Sequence, residues 1–462
     1  MNARWRYLGL LSLCIWFGAG VGSPPGNATL AQAGSPQAVY FSFDPLVIPL
    51  ETEETVRFTA KVLGSPSRAI LELNPDPASE VELHDDGADG DALARDGVYS
   101  AVLPAQAITS TLQETDVFRP FVGFLKLFQG DALSAQVNVF AEVLTSGIPR
   151  LGITPLAEDA QFNDYLVNVY DPDFFESASF DYERIARRFY QLFPDDYDFL
   201  NIVFTPSHFQ NRFHFAVQND VFGIGLSRFD NASRYGSGGR LLGITVFPIT
   251  YFFDGASEAY QHELGHQWIN FLNVPPLDGG IPHWPLSSLA SGIMGWSDPV
   301  NGQGLSFPCL LVNEGGAIRL MPRQEPAMFT DLDLYLMGLL PANQVGTHYV
   351  FEDQSVGSSA CNGQIYQGRL IPVTASDVIK AVGARTPGVE SAPHRFKIAT
   401  LIVSKDGLLS EEAMSFYAFF AQRAELDHEV LTSEGFAKGV SFPFALTTRG
   451  LGSIDARLVV TP

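Results

Sequence analysis

Gln261-His262-Glu263-Leu264-Gly265-His266-Gln267-Trp268 is the stretch on which the reading of this chain turns. On an α-helix, positions i and i+4 lie about 40° apart around the axis. His262 and His266 then project from one face, one turn apart, and can grip one metal ion. Glu263 sits about 100° round from His262, where its carboxylate can reach a water at the metal without ligating the metal itself. The neighbours fit a strand, a turn and then this helix. Residues 241–248 (Leu-Leu-Gly-Ile-Thr-Val-Phe-Pro) are apolar and β-prone and predict a buried strand. Asp254-Gly255 predicts a turn with Asp254 as N-cap. The helix is expected from Ala256 to about Leu272, stopped by Pro275-Pro276.

The chain has 462 residues, enough for two or three domains that each bury a core. It is 46% hydrophobic and 17% charged, which argues against disorder. Its net charge of −23 would repel phosphates and argues against a nucleic-acid partner. Arg4 and Arg6, the apolar run Leu8 to Val21 and the small residues that follow predict a secretory signal peptide over residues 1–33. The apolar run is short for a membrane anchor, and Cys14 lacks the small preceding residue of a lipobox. No later stretch is long and apolar enough for a span, so the expectation is an extracellular, cell-surface or periplasmic protein. Cys309 and Cys361 are left once the signal is removed, and an even pair in an exported chain predicts one disulfide, with two free buried thiols as the alternative. Asn27-Ala28-Thr29 and Asn231-Ala232-Ser233 match the glycosylation sequon.

Residues 37–145 read as an all-β domain, a β-sandwich, with strands expected at Val39–Phe43, Thr55–Val62, Arg68–Leu73, Val98–Leu103, Phe118–Phe128 and Leu133–Leu144. The loop His84 to Tyr99 is similar to the Asp-Asp-Gly…Gly-Asp…Asp-Gly-x-Tyr pattern of immunoglobulin-like domains on bacterial secreted proteins. Asp85, Asp89, Asp91 and Asp96 could offer oxygens to a Ca²⁺ ion. A pair of Asp-Gly turns is the reading that the residues favour. Residues 146–161 read as a linker, and 162–462 as the second domain. There, Asp181 to Phe193 predicts an amphipathic helix and Tyr197–Phe204 a strand. Arg212–Gln218 and Val221–Leu226 are expected as a strand pair, and Asn231–Arg240 as a mobile loop. Further on, helices are expected at Asp331–Leu339, Ala375–Ala384 and Glu411–His428, and a strand at Phe396–Val403.

His262-Glu263-Leu264-Gly265-His266 resembles the signature of the zincin metallopeptidases, and with Gln267-Trp268 it is similar to the helix of the aminopeptidase branch of the gluzincins. Ser291-Gly292-Ile293-Met294-Gly295-Trp296 resembles the Met-turn of metzincins, where a methionine lies beneath the metal. The chain departs from both branches. After His266 it lacks the Gly-x-x-His continuation of the metzincins, and it lacks a Glu at the usual gluzincin spacing. The resemblance implies an α+β protein: an N-terminal β-sandwich followed by a zincin-like α/β metallopeptidase domain. It also implies a Zn²⁺ cofactor, Glu263 as general base and a protein or peptide substrate.

A catalytic zinc usually takes a third protein ligand and keeps a position open for water. His283, in Ile281-Pro282-His283-Trp284, is the first candidate, and Glu314, in Asn313-Glu314-Gly315-Gly316, is the second. Tyr335 is a candidate oxyanion donor, with an ordinary core position as its plainer reading, and Met337 is a second candidate for the methionine below the metal. The 241–248 strand is a candidate edge for substrate docking. Two alternatives stay open. One is a surface adhesion or binding protein on a zincin-like scaffold with a structural or vestigial metal. The other is a zinc hydrolase of a non-peptide amide or ester.

Overall fold

A computed structural model describes residues 35–459, apart from 74–78, 111, 113–117, 176–179, 209–210, 249–251, 279–280, 298–303 and 434–438. The expected signal peptide and the Asn27 sequon lie outside the described residues. The protein is a mixed α/β molecule. Antiparallel sheets occupy the N-terminal part, one large mixed sheet follows, and seven α-helices occur among the described residues. None of these helices is long and apolar enough to cross a membrane.

Two four-stranded antiparallel sheets make up the N-terminal part. In the first, Gln37–Asp44, Thr55–Leu63 and Val98–Pro104 run side by side. In the second, the order is Ser79–Leu83, Arg68–Leu73, Phe121–Gln129 and Ala132–Phe140. Both sheets contribute to one apolar core, with Phe41, Phe58, Leu71, Leu125 and Val139 buried in it. The expected strand Leu133–Leu144 is broken. It ends at Phe140, and Glu142–Leu144 turns aside to pair in parallel with Val47–Pro49. Leu133 is exposed at the hairpin end, beside a register shift at Leu127/Phe128.

The large sheet has the order Thr154–Ala157, Ala160–Phe162, Leu166–Tyr170, Arg395–Ser404, Phe199–Thr205, Gly243–Pro248, Phe213–Ala216. Its four middle strands are parallel, and the outer pairings are antiparallel. Every residue of Phe199–Thr205 and Gly243–Pro248 is buried, as expected of strands covered on both faces. Residues 146–161, expected as a linker, therefore supply part of this sheet's far edge. Gly243–Pro248, expected as the docking edge, is an interior strand, and Phe213–Ala216 takes the edge instead. Hydropathy could not separate the two positions, because both strands are apolar.

Other local expectations shift for similar reasons. Val221–Leu226 forms no strand; Gln218–Asn219 pairs with Phe229–Asp230 instead. Asn219 makes that loop compact, since its side-chain amide donates to three carbonyls, those of Val221, Leu226 and Ser227. Within Asn231–Arg240, Ala232–Tyr235 is a 3₁₀ turn. Ser237 Oγ donates to Asp195, and Arg187 donates to the Arg234 carbonyl, so the segment is tied down rather than loose. Cys309 and Cys361 form a disulfide with Cα atoms 5.2 Å apart. Closing a loop of 52 residues contributes about 4 kcal/mol on a chain-entropy estimate.

The two parts of the chain are joined by backbone pairing and by buried side chains. Ser207–His208, from the second part, adds to the first sheet opposite Tyr40 and Phe41. Phe118 packs on Phe419 and Phe420 of the Glu411–Gln422 helix. Arg119 is buried beside Glu142, with its guanidinium over the Phe140 and Phe252 rings.

Candidate metal centre

The motif helix is shorter than expected. It spans Glu258–Gly265 and is capped by Ser257, whose Oγ accepts the Tyr260 amide. Such a cap contributes about 1 kcal/mol. Asp254, the expected cap, is buried and ion-paired with Arg423 at 3.0 Å. At the other end His266, Gln267 and Trp268 close the helix with i to i−3 bonds, and Asn270 turns the chain with φ 76°. Burial of Trp268, Ile269 and Leu272 outweighs the helical preference of this stretch. Tyr260 pins the helix to the sheet, its hydroxyl accepting from Asn201 Nδ2 at 3.2 Å.

His262 and His266 meet as the spacing requires, with their Nε2 atoms 3.2 Å apart. His283 joins them, with Nε2 3.1 Å from His262 Nε2. One ligand nitrogen from each of the three lies within 4.8 Å of the others. His262 Nδ1 donates to the Ile293 carbonyl at 2.8 Å. A carbonyl can only accept, so that ring carries its proton on Nδ1 and presents a lone pair at Nε2. His283 Nδ1 faces Ser297 Oγ at 3.5 Å. His262 Nε2 thus aims its lone pair at the other two rings, in a group that could hold a metal ion. Tetrahedral zinc with nitrogens at 2.0–2.1 Å would set its ligands about 3.3 Å apart, close to the spacing seen. The donor set therefore fits a zinc ion. Burial, and after it the neighbouring His262, hold His266 and His283 well below the ordinary imidazole range, with Arg212 adding in the same direction. Both are neutral near pH 7, the form that binds metal.

The loop around Met294 builds the floor. Met294 is fully buried, and a Cβ on Gly265 would lie 2.5 Å from its Sδ. A side chain at 265 would thus collide with the methionine below the motif helix. Trp284 N donates to Gly295 O and Ser297 N to Trp284 O, which fixes His283 against this loop. Trp284 Nε1 donates to Asp333 Oδ1 at 3.0 Å. Burial pushes the Asp333 carboxyl up to about 6, against the hydrogen bonds from Thr330 and Trp284. Gly304, on the strand beside Trp296–Ser297, lies flat against the His283 ring, and a Cβ there would run into it.

Glu263 is buried beside the histidines and ion-paired with Arg212 Nε at 3.0 Å. Sequence reasoning did not find Arg212; in a chain with 28 Lys and Arg against 51 Asp and Glu, nothing marks which acid a given arginine meets. His214 has no ligand spacing in the sequence and stays outside the converging group. That ring sits on the edge strand, 3.0 Å from Thr245 Oγ1 and 3.0 Å from Gln267 Oε1, and burial pushes it down to about 4. Gln267 Nε2 also donates to Gln218 O, just past that strand, so through His214 the residue after His266 ties the motif to the sheet edge.

The remaining candidates have partners of their own. Glu314 is partnered by Arg319 at the exposed turn of the Cys309–Glu314/Ala317–Pro322 hairpin, outside the converging group. The Tyr335 hydroxyl is buried and accepts the Arg385 amide at 3.0 Å. Met337 is buried, with its carbonyl on Arg385 Nη2. In the N-terminal part, Asp85, Asp91 and Asp96 bring carboxylate oxygens within 4.8 Å of one another, and Asp89 is not in that group.

No protein-family model, no curated protein and no solved structure matches this chain.

Proposed function

We propose that the protein is an exported zinc-dependent peptidase with zincin architecture, preceded by an immunoglobulin-like β-sandwich. The observation that carries this reading is the convergence of three imidazole Nε2 atoms beside a carboxylate that is not one of the ligands. A purely structural site has no use for Glu263 at that place. His262, His266 and His283 would hold the ion, leaving its fourth position for water or substrate. Zinc there would supply Lewis acidity, lowering the pKa of water towards 7 and polarising the scissile carbonyl.

The chain's own groups supply the rest. Glu263 takes the proton of the attacking water and hands it to the leaving amine. Ile293 O keeps the His262 imidazole in the tautomer that presents Nε2 inward, and Ser297 Oγ is the partner of His283 Nδ1. Phe213–Ala216, the outer strand of the sheet, offers its backbone to an extended peptide by strand addition. The Cys309–Cys361 disulfide suits a chain that works outside the reducing cytosol.

The test is the metal content of the purified full chain beside that of His262→Ala, His283→Ala and Glu314→Ala. We expect about one zinc per chain, lost in both histidine variants and retained in Glu314→Ala. Hydrolysis of a fluorescent casein should accompany it. Zinc-free protein after reconstitution would refute the reading and favour an adhesion or binding module.

A further inference from the structure

We propose that the protein has a second ligand site, sharing no residue with the histidine group: a pocket for a small aliphatic carboxylate, with the Arg385 guanidinium as its anion-binding group. The inference does not depend on the peptidase reading above.

The pocket lies between the end of the Asp331–Met337 helix, the Ala375–Val382 helix and the turn after the latter. Its volume is about 310 Å³, at the small end of the range for ligand sites. Leu340, Pro341, Ile379 and Val389 make apolar walls. The frame is tied from two sides. The Arg385 amide donates to the Tyr335 hydroxyl at 3.0 Å, and Thr386 exchanges backbone hydrogen bonds with Phe222. Gly338 ends the first helix at φ 85°, and a Cβ there would lie 2.5 Å from Arg385 Cζ. Glycine therefore leaves the guanidinium its room.

The state of that guanidinium points to the ligand. Arg385 is 7% exposed and lines the pocket. The other deeply buried arginines have acids of their own: Arg423 pairs with Asp254 at 3.0 Å and Arg119 with Glu142 at 3.4 Å. Arg385 instead donates to the carbonyls of Leu336, Met337 and Pro387, and no carboxylate among the described residues forms an ion pair with it. Carbonyl dipoles solvate a cation without cancelling its charge. Burial pushes this guanidinium down to about 10, against the pull of Tyr335 and of the exposed Asp220. A buried cation that lacks an anion is costly. Three of its N–H bonds serve the carbonyls, and a guanidinium has five, so two are left for a carboxylate. Capping the last carbonyls of the helix explains the three bonds, but not an apolar cavity that opens onto the cation.

The surroundings narrow the ligand further. A net charge of −23 repels anions in general, so a cation held without its own acid is a place where one can settle. Glu390, exposed on the pocket lining, disfavours a second carboxylate on the ligand. One carboxylate on a short apolar chain meets these conditions, and octanoate represents the class.

The experiment is calorimetric titration of the purified full chain with octanoate, octanol and octanedioate. Octanoate should bind at one site with a Kd on the order of 10⁻⁴ M, ordinary for a ligand of its size. Octanol and octanedioate should each bind about tenfold more weakly or worse. Protein stripped of metal by a chelator should bind octanoate equally well. Ala384→Trp, which fills the pocket from an exposed position, should abolish binding and keep the thermal midpoint. Arg385→Gln should weaken octanoate and leave octanol unchanged; if that variant does not fold, Ala384→Trp and the octanol comparison decide. Absence of octanoate binding in the wild type would overturn the proposal, as would equal affinity for octanoate and octanol. Binding that survives in Ala384→Trp and disappears with the chelator would also overturn it, because the carboxylate would then sit on the metal.

Discussion

Two clusters of three candidate ligands, His262/His266/His283 and Asp85/Asp91/Asp96, each bring ligand atoms within 4.8 Å of one another, and they are built differently. The histidines are drawn from two segments held together by tertiary packing. The outward nitrogens of His262 and His283 rest on a carbonyl and a hydroxyl, and Gly304 packs on the His283 ring. Their inner nitrogens point at each other. The aspartates come from a single loop and spend their oxygens within it. Asp85 accepts from the Asp96 and Gly97 amides, Asp91 from Gly87 and Leu93, and Asp96 from Val98. Gly87 and Gly97, at φ 78° and 79°, supply the left-handed turns that allow it. Proximity of ligand atoms is common to both; what separates them is whether those atoms have other work.

The comparison is sharpest where the chemistry is. Glu263→Gln should abolish hydrolysis, by a factor of 10³ or more on the scale set by general-base losses, while keeping zinc. His283→Ala should lose zinc and activity together. Metal analysis beside a casein assay reads both, and retained activity in Glu263→Gln would break the mechanism. Zinc at a hundredfold its Kd should also raise stability by about 2.7 kcal/mol, whereas millimolar calcium should leave the thermal midpoint unchanged. A calcium shift of several degrees would reverse our reading of the acidic loop.

Support behind the ligands comes next. Gly304→Ala places a methyl in the His283 ring and should cost about 1–3 kcal/mol, with zinc affinity reduced. Gly130→Ala serves as the control, since a side chain there meets nothing nearby. Its backbone φ of 61° still carries strain, so its cost should appear in stability and not in zinc affinity.

The buried carboxylate that holds Trp284 predicts a pH effect. Asp333 is raised to about 6 in the fold from 3.8, so the folded state binds the extra proton between those values. Stability should fall as pH rises from about 4 to about 6 and level off above, by on the order of 2–3 kcal/mol. Urea titrations at several pH values, wild type against Asp333→Asn, would show it as a difference that shrinks towards low pH. An unchanged difference would mean that the carboxyl is already ionised there. The smallest effect belongs to the loop: Asp91→Asn should cost about 1 kcal/mol in lost turn hydrogen bonds, with no change in metal content.

Much of the site was legible because it is local. Two histidines four residues apart on a helix share a face whatever surrounds them, and Glu263 follows from the same geometry. His283 was named from its place beyond a Gly/Pro turn and ahead of the Met294 segment, and the fold brings it to the pair. Glu314 had an equally suggestive local context, and packing sends it to an exposed hairpin. Arg212 carried no signal, since an ion pair across 51 positions has no periodicity.

Residue pattern alone determined the helical His-Glu-x-x-His element, most N-terminal strands and the cysteine pair, because these depend on side-chain period and near neighbours. Tertiary structure decided that Phe213–Ala216 and not Gly243–Pro248 is the sheet edge, that the motif helix stops at Gly265, and that Glu263 faces a guanidinium. Those outcomes depend on which buried surfaces win when the chain closes, a competition among distant segments that local preference does not encode.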